Sequence, residues 1–122
     1  MEIRITTLSE NTANYGYMAE WGLSLLVELD GITILMDTGF STAAVYNAHA
    51  MGFDLKTIDK IVISHGHNDH TGGLCEILKI RGEVEVIAHP DIWAAKYVRH
   101  PEGGSQYRYK FSGIPYLREE LE

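Results

Sequence analysis

The chain has 122 residues, 45% of them hydrophobic, enough for the core of one compact domain. Its formal charge of −7 sets it against phosphate backbones and makes nucleic acid an unexpected partner. No apolar run is long enough to cross a membrane, and the opening residues lack a signal-peptide layout. The expectation is a cytoplasmic protein without membrane association.

In chain order, EIRITTL reads as a first strand and ENTANYGYMAEWG as a loop. LSLLVELDGITILMDTG holds two apolar runs around Asp30-Gly31, a two-residue hairpin signal, and ends in a polar turn at Asp37. STAAVYNAHAMG predicts a helix capped by Ser41 and stopped by Gly52. KIVISH predicts a short buried strand, GGLCEILKI a helix closed by Gly82, and EVEVIAHP another strand. DIWAAKYVRH predicts a helix capped by Asp91, PEGGS a loop, QYRYKFSGIPY a strand, and LREELE the start of a helix. A hairpin followed by βα units indicates an α/β layered domain. Trp21 and Trp93 read as packed residues, with pocket lining the alternative for each, Cys75 as packed, His49 as packed or surface-exposed and His100 as a solvated loop residue. The aromatic-basic strand from Tyr107 to Phe111 reads as packed or as an assembly edge.

The residues that carry chemistry are concentrated in HGHNDH, where His65, His67, Asp69 and His70 fall within six positions. Imidazole nitrogens and a carboxylate suit zinc, iron or manganese. Gly66 lets the chain bend between the histidines, and Gly72 and Gly73 let it turn into a helix. The cluster follows a strand, the usual place for a site in α/β folds. A polar loop rich in histidine by chance is the plain alternative.

HGHNDH, with TGGL after it and ILMDTG and AEWGLSLLVE before it, resembles the His-x-His-x-Asp-His pattern of the metallo-β-lactamase superfamily. The likeness runs from Ile3 to about Tyr116. It is similar, within that group, to the dihydropterin/ribofuranosylaminobenzene-phosphate synthase-like metallohydrolases. The resemblance implies an αββα sandwich, of which this chain supplies the first half as one mixed β-sheet with flanking helices. It implies a two-metal hydrolase, most simply with zinc and otherwise iron or manganese, in which His65 and His67 hold one ion and Asp69 and His70 the other. The nucleophile would be a hydroxide held by the metals, with Asp69 at the reacting centre. Asp37 matches the family's supporting aspartate, which fixes a ligand or its loop; a simple turn role is equally open. The small-molecule substrate would be an ester, thioester or phosphoester.

The pattern departs from the family further on, since no histidine follows His100 and no aspartate follows Asp91. His89 is the one other candidate, as a pocket-wall residue or as a ligand. Residues 1–122 therefore read as a single, incomplete domain. It is expected to be a truncated piece inactive as a monomer, or a natural short form completed by a second copy in a homodimer. The alternative function is a non-catalytic metal-binding or assembly half-domain.

Overall fold

The computed structural model describes residues 1–121. Five strands form one mixed sheet in the order β1 (Ile3–Ser9), β2 (Ser24–Leu29), β3 (Ile32–Met36), β4 (Lys60–Val62), β5 (Glu85–Ile87). The first three pair antiparallel, and β3–β4 and β4–β5 pair parallel. The change of direction follows from the connections. Asp30 and Gly31, with φ of 48° and 79°, close a two-residue turn between β2 and β3. The two parallel pairs are instead joined by helical crossovers.

The first crossover carries α1 (Ala43–Ala50), and the second carries a single turn, α2 (Asn68–Thr71), and then α3 (Leu74–Arg81). Ser41 does not cap α1. Its hydroxyl bonds Glu20 Oε2 at 2.6 Å, and Thr42 sits at the helix start with no side-chain cap. Gly52 and Gly82 end α1 and α3 with φ of 77° and 79°, the left-handed backbone expected of helix stops. Small residues let α1 lie close to the sheet, where Ala44 and Ala48 join Leu26, Leu35, Ile61, Leu74 and Ile77 in the core.

The two sheet faces differ. Period-two alternation puts Leu26, Leu35 and Ile61, which are register partners, under the helices. The same alternation puts Ile3, Ile5, Val27, Leu29, Ile32, Ile34 and Ile87 on the opposite face. There Ile3, Ile5, Ile32 and Ile87 stay exposed.

The last quarter of the chain corrects the sequence reading. DIWAAKYVRH is not a helix. Pro90–Trp93 make one 3-10 turn, and Tyr97–Gly103 form a strand, β6, that takes in most of PEGGS. It pairs antiparallel with β7 (Gln106–Phe111) in a separate two-stranded sheet. Tyr97 and Val98 favour extended chain, and their partners Phe111 and Lys110 lie too far along the chain for local periodicity to find. His100 is a half-buried strand residue, not a loop residue, and both strands of the hairpin are largely exposed. Trp21 is not packed in the core but 71% exposed, while Trp93 and Cys75 are half-buried. Arg118–Leu121 form a 3-10 turn, and Glu122 lies outside the described residues.

Candidate metal centre

The parallel pairing of β3 with β4 puts Met36 beside Val62, so the two strand ends release Asp37 and Ser64 side by side. Asp37 is completely buried and has φ of 59°, a left-handed conformation that Asp tolerates better than most residues. Its backbone is held on both sides. Asp37 N donates to Val62 O at 2.9 Å, and Ser24 Oγ donates to Asp37 O at 2.8 Å.

A buried carboxylate needs donors, and Asp37 has three. Oδ1 accepts from Ser64 N at 2.8 Å, and Oδ2 accepts from Ser64 Oγ at 2.6 Å and from His70 Nδ1 at 2.7 Å. Ser64 Oγ also lies 2.9 Å from His65 Nδ1. With its own proton given to Asp37, that hydroxyl oxygen accepts from the ring. One carboxylate therefore sets the protonation pattern of two histidines, His70 directly and His65 through Ser64. In both, Nδ1 carries the proton and Nε2 keeps a free lone pair, as a metal-ligating imidazole requires.

The free donors converge. One ligand atom each from His65, Asp69 and His70 falls within a 4.8 Å span, with His70 Nε2 3.6 Å from Asp69 Oδ2. Ligands around a tetrahedral zinc at roughly 2.1 Å stand about 3.4 Å apart, so side-chain adjustments of around 1 Å would close the set. Burial, and then the neighbouring His70 and His67 rings, push His65 below the ordinary imidazole pKa, which favours the neutral, ligating form. The donor chemistry and spacing thus fit a divalent ion.

His67 lies beside this group, not within it. Its ring meets that of His65 edge-on at 4.9 Å between centroids, while its backbone begins α2 and its carbonyl accepts from Thr71 Oγ1. His89 stands apart. Its Nδ1 accepts from Asp91 N, and the residue lines a cavity of about 910 Å³ with Val86, Ile92 and Trp93.

Close backbone packing fixes the loops that carry these groups. Thr38 N and Thr38 Oγ1 both donate to His70 O, at 2.8 and 2.9 Å. A Cβ on Gly72 would fall on the Phe40 carbonyl, and one on Gly73 on the Thr38 carbonyl. Gly66 likewise admits the Ile92 carbonyl. On the far side Asn68 N donates to Ser112 O at 2.9 Å, tying the root of the β6–β7 hairpin to the start of α2.

Sequence reasoning missed Ser64, Thr38 and Glu20. Ser64 is visible only as the residue before the first histidine. Glu20 accepts from Phe40 N, Ser41 N and Ser41 Oγ, and nothing local in AEWG signals that reach across 20 residues.

Among the described residues no helix is long and apolar enough to cross a membrane. Residues 22–120 match the family description of the metallo-beta-lactamase superfamily. A 7,8-dihydropterin-6-methyl-4-(beta-D-ribofuranosyl)-aminobenzene-5'-phosphate synthase of Methanocaldococcus jannaschii is 39% identical over 108 residues, covering 82% of this chain and 37% of its own length. An anti-Pycsar protein of Bacillus phage 010DV004 is 46% identical over 55 residues, 44% of this chain and 21% of its own. The crystal structure of a metal-dependent hydrolase of the beta-lactamase superfamily superposes with a TM-score of 0.69 at 28% identity, covering 92% of this chain and 36% of that one. The chain thus spans little more than a third of these longest matches. On the fold, the histidine-aspartate cluster and the extent of the family match, the chain belongs to the metallo-beta-lactamase superfamily.

Proposed function

We propose that this chain carries the metal-holding part of a hydrolase acting on an ester, thioester or phosphoester. The observation that carries the reading is the Asp37 network, which leaves Nε2 of His65 and of His70 free in a group whose ligand atoms converge with the Asp69 carboxylate within 4.8 Å. His65, Asp69 and His70 would hold a divalent ion, with zinc the first candidate by ligand type and iron or manganese next. Such an ion, when bound, supplies Lewis acidity and brings the pKa of water toward neutrality. Asp37 keeps the two rings in their ligating tautomers, and the Asp69 carboxylate would ligate through the oxygen 3.6 Å from His70 Nε2 and leave its other oxygen to accept a proton from an attacking water. His67, whose ring meets that of His65 at 4.9 Å between centroids, would serve a second position.

Three convergent donors do not fill two metal sites. We read the remaining ligands as coming from a second copy of the chain or from the part of the fold that its longer relatives carry; the 37% coverage supports this. The second reading, a metal-binding half-domain without catalysis, rests on the same shortage of donors. Metal content per chain and solution mass, measured on protein purified without chelator, come first. Near two ions per chain with hydrolysis of an aryl ester panel supports the hydrolase. Tight metal without turnover favours the binding module. His70→Ala with metal content unchanged would overturn the site itself.

A further inference from the structure

Trp21 is 71% exposed, an unusual setting for an indole, yet its backbone neighbours are held firmly. On one side, the Glu20 carboxylate accepts three hydrogen bonds from Phe40 and Ser41, and Glu20 N donates to Glu10 O at 3.1 Å. On the other, Gly22 sits so close that an added Cβ would meet Phe40 N at 2.5 Å and Asp69 O at 2.7 Å, and Leu23 N donates to Asp69 O at 3.2 Å. The segment that presents Trp21 is therefore bonded to the backbone of Asp69, one of the converging donors. Trp21 lines a small cavity of about 350 Å³ whose other walls include Glu10, Asn11, Asp69 and His70.

We propose that Trp21 is a substrate-recognition residue, an aromatic wall on an anchored backbone that stacks a flat ring attached to the group presented to His65, Asp69 and His70. The inference rests on the hydrolase reading and narrows its substrates to those with a planar aromatic moiety next to the reacting bond. Three features support it. The indole shares one cavity with Asp69 and His70, two of the three converging donors. The backbone that carries the indole is anchored through Glu20 and Gly22 before binding, so the freedom lost when a ring docks is that of the side chain alone. The indole is the largest apolar side chain in a lining that otherwise holds Leu23 and polar Glu10 and Asn11, and it offers a flat ring a stacking face that an alkyl group cannot use as well.

The test compares two metal-directed probes that differ only in the ring, benzohydroxamic acid and acetohydroxamic acid, titrated by calorimetry into the zinc-loaded full chain. The expected result is about tenfold tighter binding of the phenyl compound. Trp21→Ala should abolish that preference and leave acetohydroxamic acid binding and zinc content unchanged. Trp21→Phe should retain most of it, which a merely structural role would not produce. Equal affinities for the two probes in the wild-type chain would overturn the proposal while leaving the metal centre intact. Binding of neither probe would remove the metal centre, and the proposal would fall with it.

Discussion

The replacement Asp37→Asn tests the network most directly. Asn also tolerates left-handed backbone, so φ of 59° is retained and the perturbation falls on the side chain. The native carboxylate receives donors from Ser64 N, Ser64 Oγ and His70 Nδ1. An amide has one oxygen to accept with, and its NH2 must face another donor at the second position. If the oxygen keeps Ser64 N, the amide nitrogen opposes both Ser64 Oγ and His70 Nδ1. The hydroxyl can rotate and accept from the amide, but its proton then points at His65 Nδ1, which must give up its own proton to accept it. In that orientation His70 must also move its proton to Nε2, the atom needed for metal; the flipped amide keeps both Oδ2 partners and instead orphans Ser64 N. One unsatisfied buried donor costs about 1–3 kcal/mol, and loss of such a supporting contact typically costs 10–100-fold in metal affinity. The metal-free variant should melt several degrees lower, at roughly 4 °C per kcal/mol. A competition titration against a chromophoric chelator should show zinc affinity reduced about 10–100-fold. Zinc affinity within twofold of wild type, in a variant that folds, would refute the claim that Asp37 sets the tautomers of both rings.

Other outcomes follow from the same structure. Gly73→Ala should destabilise the chain by several times more than Gly31→Ala in denaturant titrations. The first Cβ collides with the Thr38 carbonyl, whereas the second meets open space and costs only the strain of φ 79°, about 1 kcal/mol. Because His65 is shifted below its ordinary value, the metal-free fold favours its neutral form. That contribution is present above about pH 6.5 and is lost as pH falls, so melting temperature should drop from pH 7 to 5 less steeply in His65→Gln. Zinc affinity should fall over the same range as protons compete for the ring. Tyr116, whose hydroxyl donates to Thr71 O, is raised above the usual phenol value, chiefly by burial. The folded state keeps that proton above pH 10 while the unfolded chain loses it, so stability should decline with rising pH there and Tyr116→Phe should flatten the decline.

How much of this was legible in the sequence differs by element. Asp30-Gly31 named its hairpin because a two-residue turn with two positive φ values admits few residue types. HGHNDH was legible because donors so close in sequence are close in space, and Gly72 and Gly73 announced a tight approach. β6 was not. Its alternation is interrupted by Pro101, and its only partner is β7, so propensity over DIWAAKYVRH was overruled by a pairing that local reading cannot see. Asp37 was visible as a turn residue, but its partners Ser64 and His70 lie 27 and 33 residues away. For Trp21 the core-packing reading fails, because an indole is ordinarily buried, while the pocket-lining alternative stands; the anchoring of Glu20 and Gly22 shows why this one is held outside.

The separation of Asp37 from its partners also bears on the order of folding. The β2–β3 hairpin closes locally, but the carboxylate can meet Ser64 and His70 only after the chain has traversed α1 and zipped β4 alongside β3 in parallel, a slow, high-contact-order event. The histidines have their ligating arrangement only on the native side of that barrier. Zinc should then act as a latch, leaving the refolding rate almost unchanged and lengthening the lifetime of the folded chain in proportion to its affinity.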